Sequence, residues 1–174
     1  KLPLPDSPRR SGWEARHWSP IIAAEHMATR EGVAMFDMTP ITKVEVSGAG
    51  ALDYLQYVAA NQMDKPVGTI THTAMLNEGG GIRCDLTVTR LERDRFLVIT
   101  GASTGPADLA WIRGHMPDDG SISLEDVSSS YCCIGLWGPT ARELLREVST
   151  ESVSNDTFPY MAARRLMVGD VPVL

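Results

Sequence analysis

The 174-residue sequence has few cysteines, few aromatic residues and no long apolar run. Cys84 stands alone while Cys132 and Cys133 are adjacent, which is not the spacing of a disulfide framework. Unpaired thiols predict a reduced compartment, and we therefore expect a cytoplasmic protein. No segment approaches the roughly 18 consecutive apolar residues of a membrane-spanning helix, so we expect no membrane partner.

Positive charge is also scarce, because 16 Lys and Arg face 22 Asp and Glu, giving a net charge of −6. This acidic balance disfavours nucleic acid as a partner. There is no Cys-x-x-Cys motif, and the four histidines lack the spacing of metal ligands, so no metal site is predicted. With 43% hydrophobic and 22% charged residues, the composition is that of a folded globular domain.

The first residues differ from the rest in being polar and rich in proline, with Pro3, Pro5 and Pro8. They match neither a signal peptide nor a transit peptide. We predict that residues 1–19 are a linker or entry segment and that residues 20–174 form one domain. Since the chain also begins without methionine, we interpret it as a piece of a longer protein.

Helical and strand-like patterns alternate along the domain. Ser19 and Pro20 predict the start of a helix that ends near Gly32. Further helices are predicted at residues 52–59, 104–116 and 139–148. Strands are predicted at residues 42–46, 69–76, 82–90, 96–99, 121–124 and 131–137, with an extended segment at 164–174. This order predicts an α+β fold with mixed, largely antiparallel sheets and flanking helices.

Three glycine-containing segments suggest ligand loops, but each has a simpler explanation. Gly48-Ala49-Gly50 lies between a strand and a helix, yet Asp53 stands where a dinucleotide loop needs its third glycine, so a turn is favoured. Gly79-Gly80-Gly81 could bind an anion, although a hairpin turn explains it better. Residues 100–103 could line a pocket or cap the next helix.

Asp85 is the most interesting candidate for chemistry. Strand alternation puts it on a polar face with Arg83 and Thr87, where a carboxylate could bind a substrate amine or accept a proton. The alternative is an ordinary solvent-exposed aspartate. A hairpin could bring His72 near Asp85, although a lone strand histidine is more often structural. The residues alone therefore name no reaction.

Five stretches of the sequence resemble a known family. They are EHMATREGVAMFDMT (25–39), MLNEGGGIRCDLTV (75–88), FLVITGAS (96–103), DLAWI (108–112) and GLWGPTA (135–141). Their order matches the folate-binding aminomethyltransferases, which comprise the glycine cleavage T-protein and the C-terminal region of dimethylglycine and sarcosine dehydrogenases. Trp13, Trp18 and the run TVTRL (87–91) resemble the dehydrogenase branch in particular.

The resemblance implies tetrahydrofolate-dependent transfer of a methylene group from an aminomethyl or iminium donor. Asp85 matches the family's catalytic aspartate, which polarises the reacting nitrogens of folate. Contacts with folate or with a methylamine-derived substrate are implied at His72, Met75, Thr100, Gly101, Ser103, Ile41 and Tyr160. The chain would be the folate half of a flavin-linked dehydrogenase, and FAD would belong to an upstream flavin domain.

Some positions depart from the family pattern. His72 stands where T-proteins usually have tyrosine, Ile41 where they often have methionine, and Thr100 where they often have asparagine. These departures keep two alternatives open: a non-catalytic folate-binding or regulatory member, and a folate-dependent demethylase. The family's later Tyr-x-Gly-Glu-x-Gly-Tyr-Glu segment does not occur before Leu174. We therefore expect a partial, truncated T-protein-like cloverleaf that is incomplete at its C-terminus.

Overall fold

The structure is a computed structural model that describes residues 11–174. Its helices are α1 (Gly12–His17), α2 (Pro20–Glu31), α3 (Ala51–Val58), α4 (Gly105–Gly114) and α5 (Ala141–Val148). Its strands are β1 (Ala34–Asp37), β2 (Thr42–Ser47), β3 (Ile70–Leu76), β4 (Ile82–Glu92), β5 (Arg95–Thr100), β6 (Ser123–Asp126), β7 (Ile134–Trp137), β8 (Leu166–Val168) and β9 (Val171–Val173). The predicted α+β class with antiparallel sheets is confirmed.

The main sheet has five antiparallel strands in the order β3-β4-β5-β2-β6. Apolar side chains at alternate strand positions form one face, which α3 and α4 cover. Leu55 of α3 and Ile112 of α4 are fully buried in this core together with Phe96. The Tyr54 hydroxyl donates to the Ile112 carbonyl at 2.5 Å and so connects the two helices. The opposite face of the sheet is therefore the one left for polar side chains.

A second, smaller group of elements is built around the antiparallel pair β1–β7. Trp137 of β7 packs on Phe36 of β1 with ring centroids 5.0 Å apart. Gly138 joins this pair to α2: its φ is +129°, and a Cβ there would collide with the Gly32 carbonyl oxygen. The chain therefore needs glycine where the end of α2 meets the turn before α5.

The element boundaries agree with most of the sequence predictions. Ser19 caps α2, because its Oγ accepts a hydrogen bond from the Ile22 amide at 3.3 Å. Three features differ. The predicted entry segment contains the short helix α1, and its residues 1–10 lie outside the described part. Strand β1 was not predicted, and the predicted extended segment 164–174 forms the hairpin β8–β9, which turns at Gly169.

Candidate functional site

The hairpin β3–β4 brings His72 and Asp85 into direct contact. In its register Ala74 lies opposite Asp85, and His72 lies opposite Thr87. His72 and Asp85 are therefore diagonal neighbours on one face, close enough for long side chains to meet. Nε2 of His72 lies 2.7 Å from Oδ1 of Asp85, which is a hydrogen bond.

Asn77 shapes the turn that connects these two strands. Its Oδ1 accepts hydrogen bonds from the Gly79 amide at 3.0 Å and from the Gly81 amide at 2.9 Å. Gly80 has a φ of +79°, the left-handed conformation that favours glycine. Because the amides of Gly79 and Gly81 already have a partner, this loop is a hairpin turn and not an anion site.

The His72–Asp85 pair is open to solvent, since the two side chains are 67% and 73% exposed. Oδ1 of Asp85 is occupied by His72, whereas Oδ2 has no hydrogen-bond partner among residues 11–174. The half-buried side chains of Ala74, Thr87 and Ile99 lie beside the pair on the same face. A flat, partly apolar floor with one free carboxylate oxygen suits a planar ligand that carries N–H groups.

Lys43 is a charged residue of this face that the sequence analysis did not single out. It lies opposite Ile99 in the sheet and is 2% exposed. Its Nζ donates to the carbonyl oxygens of Thr39 and Ile41, each at 2.9 Å. Strand alternation along β2 could have placed Lys43 on the Asp85 face, but only with the order of the strands known.

Met75 and Thr100 lie on the opposite face of the sheet from Asp85. Met75 pairs with Cys84 and Thr100 pairs with Leu86, so both belong to the helix-covered side. Met75 is completely buried and Thr100 is 5% exposed. Direct contacts of these two side chains with folate stay predictions. Their burial on the helix-covered side does not support such contacts.

The remaining predicted residues lie in loops around the sheet. Gly101 and Ser103 are exposed between β5 and α4, and the Gly101 carbonyl accepts from the Thr42 hydroxyl at 3.1 Å. Ile41 is half-buried at the start of β2. Tyr160 is 91% exposed and precedes Met161, whose carbonyl accepts from the first amide of β3. No hydrogen bond joins these four residues to the His72–Asp85 pair, and their ligand contacts stay predictions.

A buried polar cluster lies where β5 leads into α4. Oδ2 of Asp108 accepts hydrogen bonds from the Thr100 hydroxyl at 2.5 Å and from the Thr104 hydroxyl at 2.8 Å. Burial, assisted by the nearby Asp108 carboxylate, raises the pKa of the Cys84 thiol to about 12. Arg83 turns away from Asp85, and its guanidinium lies over the Trp111 ring, 5.5 Å from the centroid. This cluster stabilises the sheet–helix junction and holds no activated thiol.

Other features of residues 11–174 do not add to the site. A cavity of about 390 Å³ lies beside α3, lined in part by Asp53, Tyr57 and His115. In the turn before α3, a Cβ on Gly48 or on Gly50 would collide with Ser121, which explains both glycines without a dinucleotide. Within this part of the chain, no three His, Cys, Asp or Glu side chains are grouped for a metal ion. No helix there has the length and apolar character to cross a membrane.

The chain is similar in sequence and in fold to known proteins. The model of the GCVT N-terminal domain matches residues 6–174. An aminomethyltransferase of Chlorobaculum parvum is 39% identical over 75% of this chain and 36% of its own length. The mitochondrial pyruvate dehydrogenase phosphatase regulatory subunit of Mus musculus is 36% identical over 87% of this chain and 18% of its own.

Two further matches extend the comparison. Human mitochondrial dimethylglycine dehydrogenase is 27% identical over 98% of this chain and 20% of its own length. The crystal structure of the glycine cleavage aminomethyltransferase T of Bartonella henselae superposes with a TM-score of 0.66 at 26% identity, over 71% of this chain and 34% of that one. The chain thus spans about a fifth to about a third of the length of the curated relatives named here.

Proposed function

The chain belongs to the family of GCVT N-terminal domains, and on that premise we propose that it takes part in tetrahydrofolate-dependent transfer of a methylene group. The donor would be an aminomethyl or iminium compound derived from a small methylated amine. The observation that carries this proposal is the exposed Asp85 carboxylate, held by His72 on a sheet face with a free oxygen. Asp85 also lies in residues 75–88, one of the stretches that resemble the folate-binding aminomethyltransferases.

The chemistry of the transfer explains why a carboxylate is needed. Tetrahydrofolate, when bound, supplies the two amine nitrogens that take up the carbon. Moving the methylene carbon of an iminium donor onto two N–H nitrogens displaces two protons, of which one is taken up by the departing amine. The second proton requires a base, and Oδ2 of Asp85 is the oxygen available to accept it.

The residues around Asp85 fit a planar, partly polar ring system. Ala74 and Ile99 offer apolar surface, while the carboxylate can fix an N–H group by a charge-assisted hydrogen bond. Holding the reacting nitrogen beside the donor carbon lowers the barrier through orientation as well as through proton transfer. Asp85 would thus both orient the acceptor and remove its proton.

The wider assembly is also part of the proposal. The similarity to human dimethylglycine dehydrogenase supports a parent protein in which a flavin-binding region oxidises a methylated amine and passes the product to this domain. FAD would be held by that upstream region and not by this chain. The aminomethyltransferase relatives instead favour a protein that receives its donor from elsewhere.

A regulatory role is the second candidate, and one comparison favours it. The mouse relative that is 36% identical over most of this chain is a phosphatase regulatory subunit. A domain of that kind would have no need of a proton acceptor at position 85. The two candidates therefore differ in the expected importance of the Asp85 carboxylate for turnover.

Calorimetric titration with 5-formyltetrahydrofolate, followed by a methylene-transfer assay, tests the proposal on the protein expressed from its complete gene. Asp85→Asn keeps the shape of the side chain and removes its basicity, so we expect kcat to fall by about 10²–10⁴-fold. Since Asp85 is exposed, stability should change by less than about 0.5 kcal/mol. Glu78→Gln is a matched control, because Glu78 is an exposed acid in the same hairpin.

Three outcomes distinguish the two candidates from each other and from the case in which neither holds. Saturable folate binding and transfer that depend on Asp85, but not on Glu78, would establish the enzyme. Folate binding without transfer would favour the regulatory role. A well-folded protein that binds no folate would contradict both.

A further inference from the structure

We propose that His72 is a positioning residue for Asp85, and that the two side chains act as one unit in proton transfer. This inference rests on the proposed function and adds a role to a position where T-proteins usually have tyrosine. His72 would act through Asp85, by fixing which carboxylate oxygen faces the ligand and how strongly that oxygen attracts a proton.

The geometry defines the hydrogen bond. An ionised carboxylate only accepts, so Nε2 of His72 must carry the hydrogen that points to Oδ1 of Asp85. This leaves Oδ2 of Asp85 as the oxygen free for a ligand. Among the described residues, Nδ1 of His72 has no hydrogen-bond partner.

The arrangement is poorly suited to a purely structural role. Both side chains are more than two-thirds exposed, and exposed ion pairs contribute little to stability. The backbone of the hairpin is already held by its register, with Ala74 opposite Asp85 and His72 opposite Thr87. The contact therefore restricts the side-chain rotation of Asp85, which matters for a reaction more than for the fold.

His72 is also well placed to set the charge around Asp85. On the same sheet face, β5 presents the apolar Leu97 and Ile99 and, at its first position, Arg95. The next strand of the sheet, β2, presents two charged residues on this face. Lys43 donates to two backbone carbonyls, and Glu45 is paired with Arg95. From β4 itself, Arg83 is directed to Trp111.

The charge of His72 therefore has the most direct effect on Asp85 of any group on this face. A neutral ring orients the carboxylate without reducing its basicity. A protonated ring stabilises the carboxylate anion, which makes Asp85 a weaker proton acceptor.

Two substitutions of His72 separate positioning from charge. His72→Gln keeps an N–H donor near the place of Nε2 but cannot change charge, whereas His72→Leu removes the donor altogether. In the protein expressed from its complete gene, we expect His72→Leu to lower kcat by about 10- to 100-fold at every pH. His72→Gln should recover most of that loss, because it restores an N–H donor to the Asp85 carboxylate.

The measurements are kcat and KM from pH 6 to pH 9, with thermal unfolding as a check that each variant folds. Folate affinity should change much less than kcat, since His72 acts on the carboxylate. Equal kcat in His72→Leu and the unaltered protein would overturn the inference, and so would a His72→Gln variant as impaired as His72→Leu. If Asp85→Asn were also fully active, the proposed function itself would fail, and the two failures are thereby distinguished.

Discussion

The hydroxyl of Thr100 at the end of β5 lies 2.5 Å from Oδ2 of Asp108 in the first turn of α4. Both residues are about 95% buried, so this contact fixes the helix to the sheet in a place that water hardly reaches. A charge-assisted hydrogen bond at such a site is among the stronger contributions that single side chains make to stability.

We expect Asp108→Ala to lower the free energy of unfolding by about 2–3 kcal/mol, because it leaves the buried Thr100 hydroxyl without its acceptor. Urea unfolding of the variant measures this loss. Thr104→Val is the control: Thr104 is exposed, and its removal leaves the Thr100–Asp108 bond in place. A loss that is equally large in both variants would show that the buried pair has no special importance.

Gly138→Ala should destabilise the junction between α2 and α5 by about 1–3 kcal/mol. The residue has a φ of +129°, and its added Cβ would meet the Gly32 carbonyl oxygen. Gly169→Ala provides the comparison, because Gly169 also has a positive φ, +56°, but its Cβ would meet nothing within 4 Å. Thermal unfolding should show the larger loss for Gly138→Ala, and the reverse order would contradict the close approach to Gly32.

The ion pair between Glu45 and Arg95 should make stability depend on pH. Oε2 of Glu45 lies 2.7 Å from Nη2 of Arg95, and this hydrogen bond lowers the pKa of Glu45 in the folded protein. Its stabilisation, about 1 kcal/mol or less, is therefore fully present above the ordinary glutamate pKa of about 4.3 and is lost as pH falls through the lowered folded value.

Urea unfolding of Glu45→Gln across this pH range tests the pair. The variant should be less stable than the unaltered protein at pH 7, and the difference should vanish at strongly acidic pH. Glu92→Gln removes the other, more exposed partner of Arg95 and should have a smaller effect. A difference for Glu45→Gln that did not depend on pH would exclude the ion pair as its cause.

The cysteines should differ sharply in their reaction with iodoacetamide. Burial raises the pKa of Cys84 to about 12, so its thiol stays protonated at pH 8, and reagents cannot reach it. Cys132 is exposed and should be alkylated first. Mass spectrometry after brief labelling would locate the modified residues. Labelling of Cys84 as fast as Cys132 would show that the core around α4 opens readily.

Local features of the sequence predicted most of the fold. Ser19 and Pro20 predicted the start of α2, and the glycines after Asn77 predicted the hairpin β3–β4, because both signals act within a few residues. Strand β1 was not recognised, since its four residues show no clear alternation and its partner β7 lies about a hundred residues further along. Such a strand is defined by a distant partner and not by its own pattern.

In the candidate site, too, local contacts could be predicted from the sequence and those that depend on distant strand pairing could not. The proximity of His72 and Asp85 follows from one hairpin, and the structure shows the contact. Met75 and Thr100 were expected near a folate, yet alternation from His72 already puts Met75 on the other face of β3. The side on which Thr100 lies depends on its pairing with Leu86, which the sequence alone does not reveal.

The turn at Asn77 has a consequence for how the site assembles during folding. His72 and Asp85 are only thirteen positions apart along the chain, so closing the loop between them costs little entropy. Hairpins form within about 1–10 μs, far faster than pairings between distant strands. We therefore expect His72 and Asp85 to come into contact before β1 pairs with β7. Their contact would then be one of the earliest native contacts of the molecule.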